Sequence, residues 1–135
     1  MRAYPVTLEL HVLWGDLDAL GHVNNTKYFR WFESARILCF EPIGLSADSP
    51  SDIGPILATT TCNFRTPPSY PDRVIVGTRV PNIGNTSFVM EYGVARAAHP
   101  DELMADGSGV IVLVNYSTGG KVPVPDEMRT AIKAL

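Results

Sequence analysis

Thr26-Lys-Tyr-Phe-Arg-Trp-Phe-Glu-Ser-Ala-Arg-Ile-Leu-Cys-Phe-Glu41 carries a helical repeat. Tyr28, Trp31, Phe32, Ala35, Leu38 and Cys39 recur at spacings of three and four, and Lys27, Arg30, Ser34 and Glu41 mark a polar stripe. Pro42 and Gly44 end the pattern. The apolar sector is wide and filled with bulky aromatics. That predicts a helix with a sheet curled around much of its circumference, the central helix of the fold.

Working outward, Thr7 to Trp14 alternates, with Leu8, Leu10, Val12 and Trp14 on one face and Thr7, Glu9 and His11 on the other, which predicts a half-buried strand. Gly15 to Asn25 has no apolar period and reads as a loop that Asn24 or Asn25 closes as a helix cap. Beyond the helix, Leu45 to Pro55 reads as a surface connection. Strands are expected near Ile56–Arg65, Arg73–Val80, Thr86–Ala97 and Leu103–Tyr116, the last three joined by the hairpin turns Asn82–Asn85 and His99–Asp101. Phe88, Met90, Tyr92 and Val94 alternate with polar or small residues, whereas Val110 to Val114 is apolar on both faces and suits an interior strand. Pro123 and Pro125 introduce a short terminal helix, Asp126 to Ala134.

One helix followed by a run of strands predicts an α+β domain. Its sheet should be antiparallel with about five strands, since parallel pairs would each need a crossover. The whole chain, 1–135, is expected to form one domain.

Composition narrows the function. Hydrophobic residues at 45% and charged residues at 19% are those of a globular protein with a real core, not of a disordered chain. A net charge of -3 with no basic run removes the electrostatic term that nonspecific nucleic-acid binding needs. No apolar stretch is long enough to span a bilayer or serve as a signal segment, so a cytoplasmic protein is expected. Cys39 and Cys62 read as two reduced, buried thiols. His11, His22 and His99 offer no metal-ligand spacing, so neither a metal nor a cofactor is expected.

The chemistry concentrates just before the helix, in Trp14-Gly-Asp-Leu-Asp-Ala-Leu-Gly-His-Val-Asn-Asn25. Asp16 and Asp18 sit beside a helix start whose free amides favour a developing negative oxygen, a pairing that suits acyl transfer. Turns and caps use the same residue types, and spacing does not distinguish one acid from the other.

Read whole, Trp14 to Arg36, with its Gly-His-Val-Asn-Asn turn, helical Tyr28 and Phe32-Glu-Ser-Ala-Arg36 ending, resembles the signature of the 4-hydroxybenzoyl-CoA thioesterase family of hotdog-fold proteins. The resemblance implies that a hotdog sheet wraps the helix and that the protein hydrolyses acyl-CoA thioesters. Asp18 would be the catalytic carboxylate, as nucleophile or general base, with Asp16 in support. The helix-start amide near Asn25 would polarise the carbonyl. His22 and Asn24 would shape the substrate pocket, with Glu33 an accessory beside Arg36. The family also implies a homo-oligomer, a dimer or dimer of dimers such as a homotetramer, with the acyl site at the subunit boundary. Arg65 and Arg73 are possible partners for the phosphates of coenzyme A, although exposed strand-end arginines are common. Two alternatives remain: a thioesterase for acyl-carrier-protein substrates, and a non-catalytic module that binds acyl-CoA.

Overall fold

A computed structural model describes residues 1–48 and 51–135. Its elements are β1 (Val6–Val12), a single 3-10 turn (Trp14–Asp16), α1 (Asn25–Phe40), β2 (Ile53–Phe64), β3 (Asp72–Ile83), β4 (Ser87–Arg96), β5 (Leu103–Asn115) and α2 (Asp126–Lys133). The strands form one antiparallel sheet in the order β1-β3-β4-β5-β2. This is the expected α+β hotdog arrangement.

The inner face of the sheet is built by the alternation seen in the sequence. Phe88, Met90, Tyr92 and Val94 of β4 and Ile111 and Leu113 of β5 are all buried. Against them lie Tyr28, Trp31, Phe32, Ala35, Cys39 and Phe40 of α1. Phe32 stacks on Tyr92 with ring centroids 4.6 Å apart, Phe40 meets Phe88 edge-on, and Tyr28 meets Phe64 of β2 edge-on. Phe32 can approach this closely because β5 has a glycine beneath it. A Cβ at Gly107 would lie 2.6 Å from the Phe32 ring and 2.3 Å from the Thr61 carbonyl.

Several expectations need correction. The alternation puts Trp14 on the buried face of a strand, but β1 ends at Val12 and Trp14 is 73% exposed, set edge-on to Tyr70 in the turn that follows. Leu38, in the apolar sector of α1 by its spacing, is 42% exposed, although Cys39 and Phe40 beside it are buried. Arg36 is instead buried, its guanidinium donating to the Tyr92 hydroxyl at 3.3 Å. The connection after α1 is shorter than expected: β2 starts at Ile53 and includes Pro55, which an edge strand tolerates. Ser49 and Pro50 lie outside the described residues. β3 runs past Val80 to Ile83, with a register shift between Arg79 and Asn82 that accommodates Pro81. Cys39 is buried, but Cys62 only half so. Among the described residues, no helix is long and apolar enough to cross a membrane.

Candidate active site

The loop between β1 and α1 gives its two acids different work. Asp16 is buried, and its carboxylate accepts from the Leu13 N–H at 2.8 Å, with Lys27 Nζ 3.7 Å away. Its carbonyl accepts from the Asn24 N–H at 2.8 Å. Asp16 thus ties the end of β1 to the start of α1. Asp18 is exposed on a small turn: its N–H donates to the His22 carbonyl at 2.7 Å, and Gly21, at φ 79°, donates back to the Asp18 carbonyl. Within that turn Asp18 Oδ1 accepts from the N–H groups of Leu20 (2.8 Å) and His22 (3.2 Å). Its Oδ2 makes no hydrogen bond among the described residues. The carboxylate is therefore fixed through one oxygen and offered through the other.

The start of α1 shows a matching asymmetry. An α-helix leaves its first N–H groups without intrahelical acceptors. Here Asn24 is the N-cap: its Oδ1 accepts from the Thr26 N–H at 3.0 Å and its carbonyl from the Lys27 N–H at 2.9 Å. The Asn25 N–H has no partner among the described residues. Asn25 and Asp18 line one cleft of about 270 Å³, together with Val23, Tyr28, Phe64 and the Arg65–Pro67 stretch. The residue with the free donor and the residue with the free carboxylate oxygen thus line the same space, with Val23, Tyr28 and Phe64 as its apolar side.

The other sequence-derived candidates lie around this cleft without lining it. His22 meets Asp18 through backbone atoms, and Asn24 is spent on the cap. Glu33 stands eight residues along the helix from Asn25, about 12 Å along its axis, paired on the surface with Arg30 at 3.1 Å and with Arg36 at 3.9 Å. Sequence reasoning missed Val23, Phe64, Thr66 and Pro67 as lining residues. Nothing local to Phe64 signals its place, which the pairing of Phe64 with Ala105 and the edge-on contact with Tyr28 create. Tyr28 could have been read from its position three residues after Asn25, on the same helix face. Burial, with a smaller contribution from Cys62, pushes the Tyr28 phenol up to about 12, so it stays a protonated donor at the cleft wall. Arg65 lines the cleft but is committed to Asp106, donating from Nε at 2.8 Å. Burial raises the Asp106 carboxyl, and hydrogen bonds from Asn63 and Arg65 outweigh it, leaving the group below the usual carboxylate range. Among the described residues, no three His, Cys, Asp or Glu side chains gather where they could hold a metal ion.

A model of the thioesterase-like superfamily matches residues 12–132, nearly the whole chain and all of this site. The chain belongs to that superfamily. Solved thioesterase structures superpose closely on it. The thioesterase of Thermus thermophilus, solved with coenzyme A and zinc, is 33% identical over 99% of this chain and 96% of its own, with a TM-score of 0.85. A thioesterase-superfamily protein of Jannaschia sp. CCS1 is 32% identical over 95% of this chain and 82% of its own, with a TM-score of 0.86. The PA2801 protein of Pseudomonas aeruginosa is 32% identical over 96% and 98%, also with a TM-score of 0.86. No curated protein matches the chain. Fold and family make this thioesterase-superfamily protein a thioester hydrolase.

Proposed function

We propose that this protein hydrolyses an acyl-CoA thioester to the free acid and coenzyme A, on the pattern of the 4-hydroxybenzoyl-CoA thioesterase branch. The observation that carries the reading is that Asp18, with one carboxylate oxygen free of hydrogen bonds, and Asn25, whose N–H has no partner among the described residues, line one cleft. The thioester carbonyl would accept from the Asn25 N–H, which lies at the positive end of α1 and so favours the negative charge that develops on that oxygen. Asp18 would attack the carbonyl carbon to form a mixed anhydride that water then hydrolyses, or remove a proton from the attacking water. By either route the C–S bond breaks and the thiolate leaves with little help from an acid. Val23, Tyr28 and Phe64 give the acyl group an apolar wall.

The coenzyme A bound to the Thermus relative supports this choice of thiol. Pairing of two copies through their sheets, with the site at the boundary, is supported by β2. It is an edge strand that exposes Ile56, Leu57 and Phe64, and Phe64 also lines the cleft. The test is thiol release from a panel of aliphatic and aromatic acyl-CoAs by the wild type and by Asp18→Asn. At least one thioester should be cleaved, with the variant slower by about 100-fold or more. Cleavage of none, or equal rates, would overturn the reading.

A further inference from the structure

A second groove, of about 520 Å³, lies beside the candidate active site, where the β1–β3 pair ends. Two exposed aromatic rings, Trp14 and Tyr70, stand edge-on to each other with centroids 5.6 Å apart, and His11, Val12, Leu13, Pro71, Asp72 and Arg73 complete the lining, with the Asp72 carboxylate engaged by Arg96 at 2.7 Å. His11 and Arg73 are direct cross-strand partners in the β1–β3 register. Two basic side chains facing each other across strands repel when both are charged, and an anion held between them relieves that. Among the described residues the Arg73 guanidinium has one hydrogen bond, at 3.3 Å to Glu9, in a pair more than half exposed on both sides. Such pairs contribute little and yield readily to a phosphate. Arg65, the other sequence-derived phosphate candidate, is held by Asp106 instead.

The groove and the cleft are lined by nearby stretches of the same two segments. The chain from Val12 to Asp18 contributes Trp14 to the groove and Asp18 to the cleft. The chain from Arg65 to Arg73 contributes Arg65 to the cleft and Tyr70 and Arg73 to the groove. A ligand with its reactive thioester at Asp18 therefore has the groove as a neighbouring surface for its far end.

We infer that the Trp14–Tyr70–Arg73 groove binds the nucleotide end of the thioester substrate, with the adenine against the aromatic rings and phosphate oxygens accepting from Arg73 and His11. Aromatic side chains stack on any base, and arginine matches phosphate geometry in two-point contacts. An acyl chain would gain nothing from two basic groups, so the groove suits the nucleotide, and Val23, Tyr28 and Phe64 of the cleft suit the acyl group. The inference rests on the acyl-CoA reading above.

The test compares one acyl group carried on coenzyme A and on pantetheine, which has the same thiol arm without the nucleotide. Trp14→Ala and Arg73→Ala should each raise KM for the acyl-CoA roughly ten-fold, with kcat retained and with no change toward the acyl-pantetheine. Equal losses on both substrates, or no loss on the acyl-CoA, would overturn the inference. So would a loss confined to the same acyl group on an acyl-carrier protein, or a change in native mass on size-exclusion chromatography. The groove can also be read without catalysis. Adenosine 3′,5′-bisphosphate should quench the emission of exposed Trp14, saturably in the wild type and at least ten-fold more weakly in Arg73→Ala. Quenching with no thioester cleaved would uphold the groove while the hydrolytic reading fails. Cleavage with no quenching would do the reverse.

Discussion

The two ends of α1 are finished by different physics. At its C-terminal end the chain closes by packing. Gly44, at φ 89°, turns it so that the Leu45 N–H reaches the Phe40 carbonyl at 2.9 Å, and Phe40, Ile43 and Leu45 join Met128 and Ile132 of α2 in the core. At its N-terminal end packing does less, with Val23 in the core and Leu17 against it. Leu20 is 82% exposed, and the loop is held by hydrogen bonds through Asp16, Asp18 and Asn24 that satisfy the N–H groups of Asn24, Thr26 and Lys27 but not that of Asn25. A helix end sealed by apolar side chains has no free group to offer a substrate. One closed by polar bonds can leave a single donor and a single acceptor open, and the reactive groups gather there.

The contrast breaks first at the packed end. Phe40→Ala should destabilise the protein by about 3–5 kcal/mol in urea unfolding, with the folded remainder keeping its kcat. A cost under about 1 kcal/mol would mean that this end is not held by packing. Raising the pH probes the buried surroundings of the helix. Burial pushes the Cys39 thiol from 9.0 to about 11 and, with help from Asp106, the Cys62 thiol likewise, while Tyr28 lies near 12. Each folded-state value is raised, so the protonated forms are favoured by folding. Stability is fully present below pH 9 and falls as the pH climbs from 9 toward 12. Melting temperatures measured across that window should decline, and a flat profile to pH 11.5 would contradict these assignments. The smallest effect on stability belongs to the open end. Asn24→Ala removes the cap and should cost about 1 kcal/mol, yet lower kcat by loosening the turn that presents Asn25. Unchanged turnover in this variant would separate the cap from the chemistry.

Much of this was legible in the sequence because it depends on local periodicity. The alternation of Phe88, Met90, Tyr92 and Val94 marks the buried face of β4, and the spacing from Tyr28 to Cys39 marks α1 and its buried side. Periodicity does not say where a neighbouring element stops. Trp14 continues its pattern past the end of the strand, and Leu38 sits at the edge of the apolar sector of α1, so the patterns send both to the interior although both are exposed. Arg36 errs the other way, for its buried guanidinium donates to the hydroxyl of Tyr92, 56 residues distant in sequence. The candidate site divides likewise. The motif located the loop, but Asp16 and Asp18 are chemically identical until the fold buries one and exposes the other. The far wall, Phe64 to Pro67, is brought there by β2–β5 pairing, which no local pattern encodes.

The central claim, that a lone backbone N–H at the start of α1 acts with Asp18, has a direct test in Asn25→Pro. Proline is well suited to the first helical position, and Asn24 already has the extended backbone, φ -59° and ψ 133°, that a residue before proline requires. The substitution therefore removes one N–H while sparing the helix. With Asn25→Ala as the control for the side chain, the proline variant should keep its melting temperature and lose kcat for acyl-CoA hydrolysis by roughly 100- to 1000-fold. A folded Asn25→Pro variant that turns over like the wild type would contradict the account.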